Sequence, residues 1–193
     1  IDDVSTDNMC AVVQDYIMDD ARVELIQHEH KTGPGGGIIT GYKKTIADDY
    51  DIAVVVGGDH QMPLDQMTRF LDPLIDNQAD YTKGNRFMVR HLALREVPTV
   101  MPKSRIIGNM LISATTKIAS GYYKIADVVD GYTAITREAL EIVDWDRAWK
   151  GYGYPMDFLI RLNAYKLRVK DVPRRAIYLE GERQSQIKGL SYA

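Results

Sequence analysis

The sequence predicts a single-domain α/β fold, a mostly parallel sheet flanked by helices. Strand-like runs alternate with amphipathic helical stretches along the whole chain, the pattern of strands joined by crossover helices. Ile52-Ala53-Val54-Val55-Val56 is an unbroken apolar, mostly β-branched run, as in a strand buried on both faces. The 193 residues are 45% hydrophobic, enough for one substantial core, and no repeat, linker or low-complexity segment divides them.

Taken in order, Asp7 or Asn8 caps a first helix running through Val12, Val13, Tyr16 and Ile17. Arg22 to Ile26 alternates near period two and reads as a strand. Gly33-Pro34-Gly35-Gly36-Gly37 reads as a breaker before a helix over 38–47, and Ile52–Val56 is the next strand. Pro63 suits the first turn of a helix carrying Met67, Phe70, Leu71 and Leu74. Tyr81 to Gly84 is a short strand, and the aperiodic, two-proline stretch from Arg86 to Lys103 is a loop of functional length. A helix over 106–120, a strand over 132–135, a short helix over 137–143, a helix over 155–165 and a strand over 167–172 complete the series.

A net charge of -3 gives no nucleic-acid footprint. The single cysteine, Cys10, excludes an internal disulfide and a cysteine-rich metal site. Within these residues no apolar run reaches the length of a membrane span, and none reads as a signal peptide. The chain enters on Ile1-Asp2-Asp3 as though cut inside a strand, so residues 1–193 are expected to be a fragment of a longer protein.

Candidate chemistry lies at the strand ends, where open α/β sheets bind ligands. After Val56 the chain presents Gly57-Gly58-Asp59-His60-Gln61-Met62. Asp59 and Gln61 offer oxygen ligands for Mg²⁺ or Mn²⁺ bound against substrate phosphates; alternatively, the segment is a surface turn capped by Asp59. Asp2 or Asp3 can accept hydrogen bonds from a ribose or base, while Asp7 suits a helix cap. The glycine cluster lacks the third glycine of a dinucleotide fingerprint and the Gly-Lys-Ser/Thr of a P-loop, so it is a tight turn or a helix start facing an anion. Arg86 and Arg105 bracket a basic segment that either binds an anion or is solvated surface charge. Asp157, near the start of a helix after Gly151-Tyr152-Gly153-Tyr154, either complements the helix dipole or projects into the cleft as a base.

In this order, Asp2 to Asp7, the glycine loop with Gly41-Tyr42, Gly57 to Met62, Lys83 to Phe87, Arg105 to Asn109, Gly131 to Ile135, Gly151 to Asp157 and Arg168 to Pro173 resemble the family 2 inverting glycosyltransferases of GT-A (Rossmann-like) fold, in the dolichyl- and polyprenyl-phosphate sugar transferase branch. The resemblance implies transfer of a sugar from a GDP- or UDP-sugar to a polyprenyl phosphate at the cytoplasmic face of a membrane. It implies that Asp2, Asp3 and Asp59 bind the nucleotide and that Asp59 and Gln61, with His60 as a further candidate, hold the metal. Arg86 and Arg105 correspond to arginines gripping the lipid phosphate, and Asp157 to an acidic residue beside the acceptor, which already carries its charge and needs orientation more than deprotonation.

The chain departs from the family pattern at several places. The first family strand, with its Pro-x-Tyr-Asn-Glu contact, is absent, and so is a C-terminal membrane segment beyond Gly181 to Lys188. Family members carry glycine where Val4 and His60 stand, aspartate where Gly57 stands, and commonly an acid where Pro155 stands. Gly57 removes the first metal carboxylate, so competence at the metal is in question. Two other readings follow: a family 2 enzyme acting on a saccharide acceptor, and a non-catalytic descendant that binds a nucleotide sugar through a degraded metal site.

Overall fold

Strands β1 (Ile52–Val55), β2 (Tyr81–Asn85), β3 (Thr133–Thr136) and β4 (Val169–Pro173) form one sheet in the order β1-β3-β2-β4. This computed structural model describes residues 1–86, 103–175 and 177, and of residues 103–107 and 109 the backbone alone. Strand β3 runs antiparallel to both β1 and β2, and β4 pairs parallel to β2. Three strands therefore share one direction and β3 opposes them. Helices α1 (Met9–Asp19), α2 (Pro34–Ala47), α3 (Thr68–Ile75), α4 (Lys103–Ser120), α5 (Arg137–Ile142) and α6 (Tyr154–Ala164) flank the sheet. This is the α/β architecture expected from the sequence, one sheet with helices flanking it.

Successive strand residues face opposite sides, and the core divides accordingly. Ile135 joins a cluster with Tyr42, Trp145, Phe158 and Leu162, whereas its neighbour Ala134 joins Phe70, Leu74, Tyr132 and Val172. The first cluster is built on edge-on aromatic contacts, with Trp145 4.9 Å from Tyr42 and 5.0 Å from Phe158 between ring centres. In the second, Phe70 stacks on Tyr132 at 4.0 Å. Such pairs add about 0.5–1.5 kcal/mol each beyond the area they bury.

Two expected elements differ. The glycine cluster does not break the chain: Pro34 occupies the first turn of α2, and the helix starts four residues before the expected Ile38. A Cβ on Gly35 would lie 2.6 Å from the Trp149 carbonyl oxygen, and one on Gly36 2.2 Å from Thr32 Oγ1. These glycines let the helix end touch neighbouring backbone, and Gly36 N–H donates to the Lys150 carbonyl at 3.1 Å. Residues 22–26 form no ladder of their own; the pairing there is a single parallel bridge between Asp2 and Gln27. The expected loop, apart from its ends, and the stretch from Gly181 to Lys188 lie outside the described residues. Among the described residues, no helix is long and apolar enough to cross a membrane.

Candidate functional site

A cleft of about 550 Å³ opens beside β1. Residues 52–56 line it, together with Asp3, Gly33, Gly57, Met62, Gly131 and Tyr154. It thus joins three sequence motifs: the acidic pair, the glycine-rich start of α2 and the turn that follows β1. A Cβ on Gly131 would lie 3.0 Å from Tyr154 Oη and 3.2 Å from Met62 Cε, so glycine lets these walls meet.

The two acids at the chain start are held differently. Asp2 is buried; its carboxylate accepts from Ser5 N–H at 2.9 Å, from Cys10 Sγ at 3.1 Å and from Gln27. Hydrogen bonds from Ser5 and Cys10 draw its pKa down to about 2. Asp3 lines the cleft. Its Oδ1 accepts from His28 Nδ1 at 2.8 Å, Thr32 N–H at 2.7 Å and Thr32 Oγ1 at 2.8 Å, and its Oδ2 from Gly33 N–H at 2.7 Å. Burial opposes ionisation of Asp3, but His28, Thr32 and Gly33 outweigh it and bring the pKa to about 2. Asp3 therefore ties the chain start to the entry of α2 with a fixed negative charge.

The turn after β1 is exposed at Asp59 and His60. Asp59 Oδ1 accepts from Gln61 N–H at 3.2 Å, closing the turn on itself. His60 has φ 59° and Val4 has φ 63°, the left-handed region that favours glycine. Both are positions where the resembling family carries glycine, so the departures noted in the sequence cost backbone strain here. No group of three His, Cys, Asp or Glu side chains placed to hold a metal exists among the described residues. The donors at the turn do not make a closed metal site. They suit an ion that keeps waters and shares its shell with phosphates, as Mg²⁺ commonly does.

The turn is pinned from behind by a residue that sequence reasoning missed. Arg174, buried at the end of β4, donates from Nη1 to the Gln61 carbonyl at 3.0 Å and from Nε to Asp130 Oδ2 at 2.8 Å. Its guanidinium also lies 5.9 Å from the Tyr132 ring centre. A Cβ on Gly84 would fall 2.8 Å from Asp130 Oδ1 and 3.0 Å from Arg174 Nε, so this pair exists because β2 carries glycine there.

Around it lies a buried network of opposite charges. Arg86 grips Asp127 with both ends of its guanidinium, Nε to Oδ2 at 2.6 Å and Nη2 to Oδ1 at 2.9 Å, with Asp130 Oδ2 at 3.3 Å. Lys83 Nζ donates to the Asp130 carbonyl, and Asn85 Nδ2 donates to Asp171. Burial lowers Lys83 to about 8 although Asp130 and Asp127 pull it back up. Burial raises Asp171. At Asp127 burial also works upward, but the Arg86 hydrogen bond and charge prevail and hold it below the usual carboxylate range. The sequence offered one faint signal: β2, buried at every position, spells Tyr-Thr-Lys-Gly-Asn, and polar side chains in a buried strand need partners.

Asp157 lies in the first turn of α6, where its Oδ2 accepts from Arg161 Nε at 2.6 Å and from Trp149 N–H at 2.9 Å. It fixes the loop before α6, and it is Tyr154 of that helix that lines the cleft. Arg105 falls in the first turn of α4, its side chain outside the described residues. Of the expected site residues, Asp3 faces the cleft. Asp59 borders it through Gly57, whose Cβ would lie 3.2 Å from Asp59 Oδ1.

Comparison with known proteins follows the same outline. The family described as Glycosyl transferase family 2 matches residues 1–143. The chain is 31% identical over 159 residues to the UDP-N-acetylglucosamine–dolichyl-phosphate N-acetylglucosaminyltransferase of Methanococcus voltae, covering 82% of this chain and 61% of that protein. It is 26% identical over 174 residues to the undecaprenyl-phosphate mannosyltransferase of Micrococcus luteus, covering 90% of this chain and 68% of that protein. Among solved structures, glucosyl-3-phosphoglycerate synthase from Mycobacterium tuberculosis with Mg²⁺ and uridine diphosphate superposes with TM-score 0.58 at 16% identity. That superposition covers 88% of this chain and 55% of the synthase, and at so low an identity it shows the fold alone, the GT-A fold.

Proposed function

The chain belongs to glycosyl transferase family 2, and from that premise we propose that residues 1–193 are the catalytic domain of an enzyme moving a sugar, with inversion, from a GDP- or UDP-sugar to a polyprenyl phosphate. The observation that carries the reading is the cleft beside β1, where Asp3, the start of α2 and the Gly57 turn converge. Two relatives named for dolichyl- and undecaprenyl-phosphate transfer support the choice of acceptor over a saccharide.

In this reading Asp3 faces the nucleoside, and Asp2, turned inward, holds the Ser5 turn beneath it. Asp59 and Gln61, with His60 beside them, are the residues that would share Mg²⁺ or Mn²⁺ with the donor diphosphate. When bound, that ion neutralises the leaving group's charge. Arg174 keeps the turn in register by its bond to the Gln61 carbonyl. Arg86 and Arg105 hold the acceptor phosphate, Arg86 being aimed by its two-point contact with Asp127. An acceptor oxygen attacks the anomeric carbon as the diphosphate departs from the opposite face. The acceptor is already ionised, so no base is needed and positioning supplies much of the rate. The bond of Asp157 to Arg161 fits an orienting role better than proton abstraction. The site belongs at the cytoplasmic face of a membrane, where both substrates meet.

One observation favours a second reading. With Gly57 in place of a carboxylate, the turn offers Asp59 as its acidic ligand, which suits a nucleotide-sugar-binding descendant without turnover. Calorimetry with uridine or guanosine diphosphate, with and without Mn²⁺, tests the site. Metal-dependent binding is expected, and binding indifferent to metal would overturn the assignment of Asp59 and Gln61.

A further inference from the structure

Helix α4 is amphipathic in the wrong sense for a helix that only covers a core. Among the side chains described, its buried residues are Ser113, Thr116 and Ser120, spaced three and four apart on one face. Ser120 Oγ accepts from Tyr122 N–H at 3.4 Å, and Ser113 Oγ lies 3.5 Å from Val128 N–H. The opposite face carries Leu111 and Ile118, two turns apart and 64% and 73% exposed, with Met110 beside them and Tyr123 just beyond the helix end, also exposed. Scattered apolar residues on a surface are ordinary; a helix face that buries Ser113, Thr116 and Ser120 while the opposite one turns out Leu111 and Ile118 is not.

Charge selects the occupant. From 103 to 126 the sequence holds Lys103, Arg105, Lys117 and Lys124 and no acidic residue, in a chain whose net charge is -3. Helix α1 is the useful contrast: it exposes Val12, Tyr16 and Met18, but among Asp15, Asp19 and Asp20. We propose that the outward face of α4 lies on an anionic lipid bilayer, with Leu111 and Ile118 entering the headgroup–acyl boundary and Lys117 and Lys124 meeting lipid phosphates. Apolar insertion plus basic flanks is the usual chemistry of such a surface helix. The proposal rests on the glycosyltransferase reading for its purpose, since a polyprenyl phosphate acceptor resides in a bilayer and Arg105 stands in the first turn of α4. Its physical basis does not depend on that reading.

Co-sedimentation with mixed phosphatidylcholine–phosphatidylglycerol vesicles tests it, set against phosphatidylcholine alone. The chain should pellet with the anionic vesicles. Leu111→Ser with Ile118→Ser should weaken binding at least about tenfold, the scale expected for withdrawing two apolar side chains from even partial burial. Lys117→Gln with Lys124→Gln should erase the preference for anionic lipid, and Met18→Ser on α1 should change nothing. Both α4 residues are exposed, so the double variant should keep the parent melting temperature. Sugar transfer to a short, water-soluble prenyl phosphate should be unaffected by it. Loss of that transfer with vesicle binding intact would count against the glycosyltransferase reading alone. Absence of binding to anionic vesicles, binding unchanged in the double variant, or a dimer that the same substitutions dissolve would overturn the bilayer proposal.

Discussion

Replacing Asp130 by asparagine should be among the most destabilising single changes in this chain. The carboxylate is fully buried, accepts Arg174 Nε and Tyr132 N–H at 2.8 Å each, and stands 3.3 Å from Arg86 Nε. The amide keeps the size and removes the charge, leaving the buried Arg174 guanidinium without its anion. Breaking a buried pair from one side costs about 3–5 kcal/mol, which in a domain of this size is a fall in Tm of about 6–20 °C. Arg174→Met alone leaves the buried Asp130 carboxylate with Arg86, at 3.3 Å, as its remaining cation, and should cost less than Asp130→Asn. The double variant leaves neither charge unpaired, so it should lose about 2 kcal/mol or more less than the sum of the singles. Urea unfolding followed by the fluorescence of the buried Trp145 measures all three. Additive losses, or a loss below about 1 kcal/mol for Asp130→Asn, would show that the pair does not organise this region.

Further expectations concern the turn, the chain start and the acceptor. Gly57→Asp sets a second carboxylate beside Asp59 and should tighten Mn²⁺-dependent nucleotide diphosphate binding; unchanged calorimetry would mean the turn does not face the metal. Val4→Gly and His60→Gly relieve left-handed strain of about 1–2 kcal/mol per residue, partly offset by glycine's looser unfolded chain, so each should raise the urea midpoint. Asp2 and Asp3 titrate near 2 in the folded chain, below the roughly 3.9 of an unfolded aspartate. The stability they lend is therefore complete above about pH 4 and drains away as pH falls toward 2. Lys83 works at the other end: at about 8 it sheds its proton before the unfolded lysine does near 10.4, so stability should rise across that window. Lys83→Met should abolish this alkaline rise, and a rise that persists would exclude Lys83 as its source. Arg86→Ala should raise the KM for lipid phosphate more than that for the donor.

What the sequence disclosed follows from which forces are local. The β1 strand was legible from its β-branched run, and α6 because Pro155, Phe158, Leu159 and Leu162 repeat at helical spacing. The burial that Val54 and Val55 suggested was not met: β1 ends the strand order, Ala53 alone is buried in it, and its valines line the cleft. The direction of β3 was not, since antiparallel pairing to both neighbours is a property of the sheet and leaves no mark on Thr-Ala-Ile-Thr. The start of α2 was misread because glycine signals a turn in isolation, whereas here it answers the close approach of residues 149–150. The site was half legible. Asp3 and the Gly57 turn were found by their place at strand ends, but Arg174 and Asp130 show only charge in the sequence. Their partnership across 44 residues is visible only in the folded chain.

The central claim is sugar transfer to a lipid phosphate. Incubating the chain with radiolabelled UDP-N-acetylglucosamine or GDP-mannose, a polyprenyl phosphate and Mn²⁺, then extracting into organic solvent, measures it directly. The account predicts a lipid-linked sugar whose anomeric configuration is opposite to the donor's and whose formation falls sharply in Asp59→Ala. Nucleotide binding with no extractable product from either donor would contradict it and leave a binding protein.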